Sequence, residues 1–151
     1  MYFCVSILLA MTTIAPVMAQ SLATEQEIAK YTSDYIPEFK SSIVERSGNA
    51  NLGKIEVSVD FASFGDNKEE LENGQRQLIN VKGALLFLNK NPAARARIEK
   101  KLKKITIVLV PSKTQKGLSL SNGELIVKSN SFGLSDLHGS EDVKNFLLKK
   151  L

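Results

Sequence analysis

Tryptophan is absent, cysteine and histidine occur once each, and aromatic residues make up only 7 % of the 151-residue chain. A single thiol excludes a disulfide framework and a thiolate zinc site. A single imidazole excludes a multi-histidine metal centre. Neither the dinucleotide loop GxGxxG nor a complete GxxxxGK[ST] phosphate loop occurs, and GxSxG, HExxH and SxxK are also missing. No metal and no cofactor is implied. Hydrophobic residues at 43 % and charged residues at 24 % are nonetheless ordinary for a folded protein, which argues against a disordered or fibrous chain.

The first twenty residues lack Lys, Arg, Asp and Glu altogether. Val5, Ile7, Leu8, Leu9, Ala10 and Met11 form a run of the length a secretory signal needs. Pro16 breaks it, and Val17-Met18-Ala19 supplies small or modest side chains for a peptidase, with cleavage expected before Gln20. The departure from the usual pattern is an N-terminal Met1-Tyr2-Phe3 without a basic side chain. An uncleaved anchor is the competing reading, weakened by Ser6, Thr12, Thr13 and Pro16; a buried helix is the third. Residues 1–19 are thus expected to be a signal peptide, and 20–151 a single domain exported to the periplasm or secreted. Cys4 would leave with the peptide, and a cysteine-free remainder suits an oxidising compartment.

Apolar periodicity divides the remainder into elements. Thr24 and Glu27 read as a capping box, after which Ile28, Tyr31, Tyr35, Phe39 and Ile43 share a helical face that Pro37 must kink or split near Ile36. From 54 to 61 the period becomes two, with Ile55, Val57, Val59 and Phe61 inward and Glu56, Ser58 and Asp60 outward. Asp66 and Glu69 cap a helix with the stripe Leu71, Leu78, Val81, Leu85 and Leu88, interrupted by Gly74 and Gly83; the stretch 84–88 is apolar all round, which predicts deep burial. Asn91-Pro92 opens a third helix with Ala94, Ile98 and Leu102 inward. Ile105 to Val110 reads as a central strand, and Asn122-Gly123 as a hairpin turn joining Leu118 and Leu120 to Leu125–Val127. Ser140, followed by Glu141 and Asp142, opens a final helix bearing Val143, Phe146, Leu147 and Leu151. The fold predicted is α+β, in the order α-β-α-α-β-β-β-α: a mostly antiparallel sheet of about four strands with helices on one face.

Chemistry is harder to find. His138 lies in a loop with Ser135, Asp136 and Ser140 nearby, all of which also suit turns and caps; a solvated side chain is the simpler reading. The row Glu56, Ser58, Asp60 could line a cleft, but one wet sheet face accounts for it. A small hydrolase using Asp60 or His138 is therefore the lesser alternative. The one compositional asymmetry is basic. The net charge is +4, and Lys90, Arg95, Arg97, Lys100, Lys101, Lys103 and Lys104 crowd one segment opposed only by Glu99. Lys113 and Lys116 follow in a turn with Ser112 and Thr114. Arg95, Arg97, Lys100, Lys101, Lys104, Lys113 and Lys116 are the candidate anion-binding residues, provided that the helix end and the turn are neighbours. The partner expected is another envelope or secreted protein, or an anionic polymer or surface, with only transient membrane contact unless the signal is retained. Nucleic acid fits poorly, since few aromatics are interleaved to stack bases. The function expected is that of an exported, non-catalytic binding or accessory protein, with anion binding through 90–116 as a more specific alternative. Mass spectrometry of the exported protein is expected to find Gln20 at its N-terminus.

Overall fold

A computed structural model describes residues 21–64, 68–130 and 136–151. The expected signal segment with Cys4, the Gly65-Asp66 cap and Ser135 lie outside the described residues. The remainder is a small α+β domain with a four-stranded sheet and four helical bodies, the first of them continuous through a π turn.

Ser21 caps α1 (Leu22–Lys30), its hydroxyl accepting the Thr24 amide at 3.3 Å. The Thr24–Glu27 capping box does not form. Thr24 is already inside the first turn, and Glu27, 2 % exposed, accepts instead from Tyr35 Oη at 2.8 Å and Lys30 Nζ at 3.0 Å. The helix passes through a π turn at Tyr31–Tyr35 and continues as α2 (Ile36–Ser47). Pro37 has no amide, and its ring crowds the carbonyl four residues back. The wider turn, in which the Ile36 amide reaches back five residues to the Tyr31 carbonyl, absorbs that crowding and lets the helix proceed. Gly48, at φ 63°, ends it in the left-handed conformation that glycine adopts without strain.

The strand predicted over 54–61 is shorter. β1 is Glu56–Val59, and Phe61 belongs to a 3₁₀ turn, Phe61–Phe64, where its ring meets that of Tyr31 edge-on at 5.3 Å. Next come α3 (Lys68–Asn89) and α4 (Pro92–Lys101), separated where Asn91 Oδ1 accepts the Ala93 and Ala94 amides at 3.0 and 3.1 Å. The strands β2 (Lys104–Leu109), β3 (Gly117–Ser121) and β4 (Glu124–Ser129) follow, then α5 (Ser140–Lys150). Asn122 and Gly123, at φ 51° and 82°, make the tight turn between β3 and β4. α5 is capped by Gly139 rather than Ser140, with Asp142 Oδ2 accepting the Gly139 amide at 3.0 Å. Within α3, the expected burial of 84–88 all round fails, because Phe87 points outward and is 56 % exposed.

The sheet is mixed, not mostly antiparallel. Its order is β1-β2-β4-β3; β1–β2 and β2–β4 are parallel, and only β3–β4 is antiparallel. The pair α3–α4 between β1 and β2 is a crossover, which returns the chain to the same end of the sheet and makes the strands parallel. β4 rather than β3 takes the inner position. Leu125 and Val127 of β4 are fully buried while Leu118 and Leu120 of β3 are half-buried, so the order places the more thoroughly covered strand inside. One sheet face carries Val57, Val59, Ile105, Ile107, Leu125 and Val127 into the core with the helices. The opposite face shows half-exposed Ser58, Thr106, Val108 and Ile126.

Gly74 and Tyr31 show how tightly the first helical body sits on α3. Tyr31 is fully buried and its hydroxyl donates to the Leu71 carbonyl. A Cβ at Gly74 would lie 2.6 Å from Tyr31 Oη and 3.0 Å from the Phe64 ring. Gly74→Ala is therefore expected to lower stability by about 1–3 kcal/mol in urea denaturation, as overpacking does. The loss should shrink in a Tyr31→Phe background, which removes the atom in closest conflict.

Candidate functional site

The predicted basic residues separate into three groups. Ala94 and Ile98 bury the inner side of α4, which leaves Arg95, Arg97, Lys100 and Lys101 on its exposed outer side. Glu99, the only acid on this helix, is turned away from them: its Oε1 accepts from Asn49 Nδ2 at 2.8 Å. Among the described residues no carboxylate pairs with Arg95, Arg97 or Lys100. Lys101 reaches the Leu151 carbonyl.

Lys104 does not belong to that helix surface. The helix stops at Leu102, and Lys104 begins β2 on the half-exposed sheet face, 3.7 Å from Glu56 and 3.5 Å from Glu124. Thr106 Oγ1 donates to Glu124 at 2.6 Å, and with the Lys104 charge this holds the Glu124 carboxyl below its ordinary pKa. Lys113 and Lys116 sit beyond the opposite end of β2, roughly 20 Å from the start of the strand by its rise per residue. The condition that they adjoin the α4 end is not met. Lys113 pairs with Asp136 at 3.0 Å, and Lys116 Nζ donates to the Leu137 carbonyl at 2.9 Å. These two lysines pin the loop that leads to α5.

His138 is not the solvated side chain expected. It is 8 % exposed, with Nε2 3.2 Å from the Lys128 carbonyl. Its backbone is clamped by Gln77 of α3, which is fully buried. Gln77 Oε1 accepts the His138 amide at 2.8 Å and the Ser129 hydroxyl at 2.7 Å, while Nε2 donates to the His138 carbonyl at 2.9 Å. Asn80 Nδ2 donates to the same carbonyl at 2.9 Å. Ser140 faces Gly83 on α3, and Asp136 is committed to Lys113, so neither forms a hydrogen bond with the imidazole. Glu56 and Asp60 are four positions apart along extended chain, about 13 Å, which exceeds the spacing of a paired-carboxylate hydrolase. Among the described residues no cluster of His, Cys, Asp and Glu could hold a metal, and no helix is long and apolar enough to cross a membrane.

Three features escape the periodicity reading. Gly48, Gly53 and Lys54 reproduce the glycine and lysine spacing of GxxxxGK, a signal visible in the sequence. Here, however, the segment joins a helix to a strand, the reverse of a phosphate loop, and Ile55 stands where Ser or Thr would bind a metal. Its amides are spent internally, Asn51 on Asn49 Oδ1, Leu52 on the Asn49 carbonyl and Lys54 on the Asn51 carbonyl. The second feature is a cleft of about 160 Å³ between α4 and α5, where Leu88, Ala94, Leu147 and Leu148 form apolar walls and Arg97 stands among them. The third is a larger recess, about 570 Å³, bordered by α2, α3 and the start of α5. Its signal was the second apolar stripe on α3, Ile79 with Leu86 and Phe87, at seven- and eight-residue steps.

The chain matches no family model, no curated protein and no solved structure.

Burial pushes the His138 imidazole below its ordinary pKa of 6.5, and the Lys116 charge adds to the effect. The unfolded chain takes up that proton near the ordinary value while the folded chain resists it. The stabilisation is complete above about pH 6.5 and is lost as pH falls below it. Urea midpoints at about pH 7.5 and pH 5.5 should differ in the wild type, and His138→Gln should remove part of that difference. Equal differences in the two proteins would mean that the imidazole is not responsible.

Proposed function

We propose that this chain is an exported, periplasmic or secreted, non-catalytic binding domain that holds an anionic polymer or surface of the envelope through the outer side of α4. The observation that carries the reading is the turning of Glu99 to Asn49, which leaves Arg95, Arg97 and Lys100 exposed with no carboxylate partner among the described residues. Cations in the last turn of a helix also interact favourably with its dipole, which accounts for Lys100 and Lys101 but not for Arg95 and Arg97 nearer the start. Arg97 stands at the apolar cleft between α4 and α5, which favours a ligand carrying an apolar portion beside its charge.

Each cation near an anionic surface contributes about 1 kcal/mol, so three or four give about 3–4 kcal/mol and millimolar affinity for a single contact. A polymer or bilayer presents its charges repeatedly and raises the effective strength through multivalency. Lys104, Lys113 and Lys116 lie apart from this surface, and the proposal gives them no share in the contact.

Co-sedimentation with phosphatidylglycerol vesicles and retention on immobilised polyglutamate test the reading. Both should weaken steeply between about 50 mM and 200 mM salt, as screening requires. The triple variant Arg95→Glu, Arg97→Glu, Lys100→Glu should lose binding by about tenfold or more, while Lys113→Glu leaves it unchanged. Unaltered binding of the triple variant would sink the proposal.

A further inference from the structure

Two of the large apolar side chains left in solvent, Ile79 at 52 % and Phe87 at 56 % exposure, lie along the same recess. They are eight residues apart on α3, about 12 Å along the axis, or slightly more than two turns. With half-buried Leu86 they form the floor of the 570 Å³ recess described above. The charged groups lining it are all cationic: Arg46 from α2, with Lys82 and Lys90 from α3 and its end. Among the described residues none of the three pairs with a carboxylate; Lys82 Nζ meets only the Ser42 hydroxyl, at 3.3 Å. The banks are fixed in place. Asn89 Nδ2 donates to the Ser47 carbonyl at 3.1 Å and ties the end of α2 to α3. Gln77 and Asn80 hold the backbone just before α5.

We propose that this recess docks an acidic amphipathic helix of a partner protein, its apolar side chains on Ile79, Leu86 and Phe87 and its carboxylates against Arg46, Lys82 and Lys90. The charge complementarity is direct, because a cationic rim around an apolar floor selects an apolar stripe flanked by acids. A floor of two turns fits residues i and i+7 of a helix lying along α3. Nucleic acid would find a single aromatic ring among aliphatic side chains, and Lys144 Nζ already stands over that ring, Phe87, at 4.6 Å from its centroid. This surface uses none of Arg95, Arg97 and Lys100, so it stands or falls independently of the α4 proposal.

The test is fluorescence anisotropy with a synthetic helical peptide of about 16 residues, leucines on one stripe and glutamates flanking it. Controls are a scrambled peptide and one with lysine in place of glutamate. The acidic peptide should bind at least about tenfold more tightly than either control. Ile79→Ser with Phe87→Ser should cost about tenfold or more, as loss of buried anchors does. Arg46→Glu with Lys82→Glu should weaken binding comparably and leave vesicle binding through α4 unchanged. All four substitutions replace groove-lining side chains outside the core, and circular dichroism verifies the fold of each variant. Equal binding of acidic and scrambled peptides, or none, would overturn the proposal. So would vesicle binding lost in the groove variants without peptide binding, which assigns the recess to a membrane. A dimer in sedimentation that Phe87→Ser dissolves would assign it to a second copy of this chain.

Discussion

The buried amide of Gln77 is the interaction on which the rest of the arrangement depends. One side chain on α3 accepts from the end of β4 through Ser129 and both accepts from and donates to the backbone at His138. A fully buried primary amide has no water to fall back on, so each bond it lacked would cost the desolvation of an unsatisfied polar group. The side chain therefore specifies one position for three elements at once. Where the chain leaves β4 it is drawn against α3, and α5 then begins beside Gly83, where the absence of a side chain leaves room for the Ser140 hydroxyl.

That constraint also explains the fate of the residues that looked most chemical. His138 is held by its backbone, and its ring is turned to a carbonyl rather than to a nucleophile. Asp136, Lys113 and Lys116 secure the same loop from its other side. Glu27 is the counterpart in the first helical body. Burial alone would raise its pKa, yet the bonds from Lys30 and Tyr35, with the charges of Lys30 and Lys68, more than offset that and lower it. Tyr35 is pushed up to about 12 by burial and by the neighbouring carboxylate, and remains the donor in the pair. Among the described residues the buried polar groups work as fasteners, whereas Arg95, Arg97 and Lys100 on α4 and Arg46, Lys82 and Lys90 around the α3 recess pair with no carboxylate there.

Much of the architecture was legible from residue pattern. Asn91-Pro92, Asn122-Gly123, the alternation through β1 and the apolar run of β2 act through short-range geometry and capping, which a sequence carries explicitly. Burial of Ala94 and Ile98 and exposure of Arg95, Arg97, Lys100 and Lys101 follow from helical period alone. The parallel sheet was harder, because strand direction depends on which strands become neighbours, and the pairing of β1 with β2 and of β2 with β4 is settled between elements far apart in sequence. Of the candidate anion site, the α4 portion could be read, whereas Lys104, Lys113 and Lys116 required knowing where the helix stops and how long β2 is. Glu99 looked like a neutralising charge because its partner, Asn49, is fifty residues away.

The amino-acid order by itself determined the helices, the tight turn, the exclusion of a disulfide framework and of a multi-histidine metal centre, and a surplus of positive charge. These are matters of composition and of interactions spanning a few residues. Tertiary structure alone decided that β4 lies inside β3, that Gln77 meets His138, and that Ile79 and Phe87 share a cationic recess. Each needs distant segments to be brought together, and burial of the most apolar strand and satisfaction of buried amides select among the alternatives that local pattern leaves open.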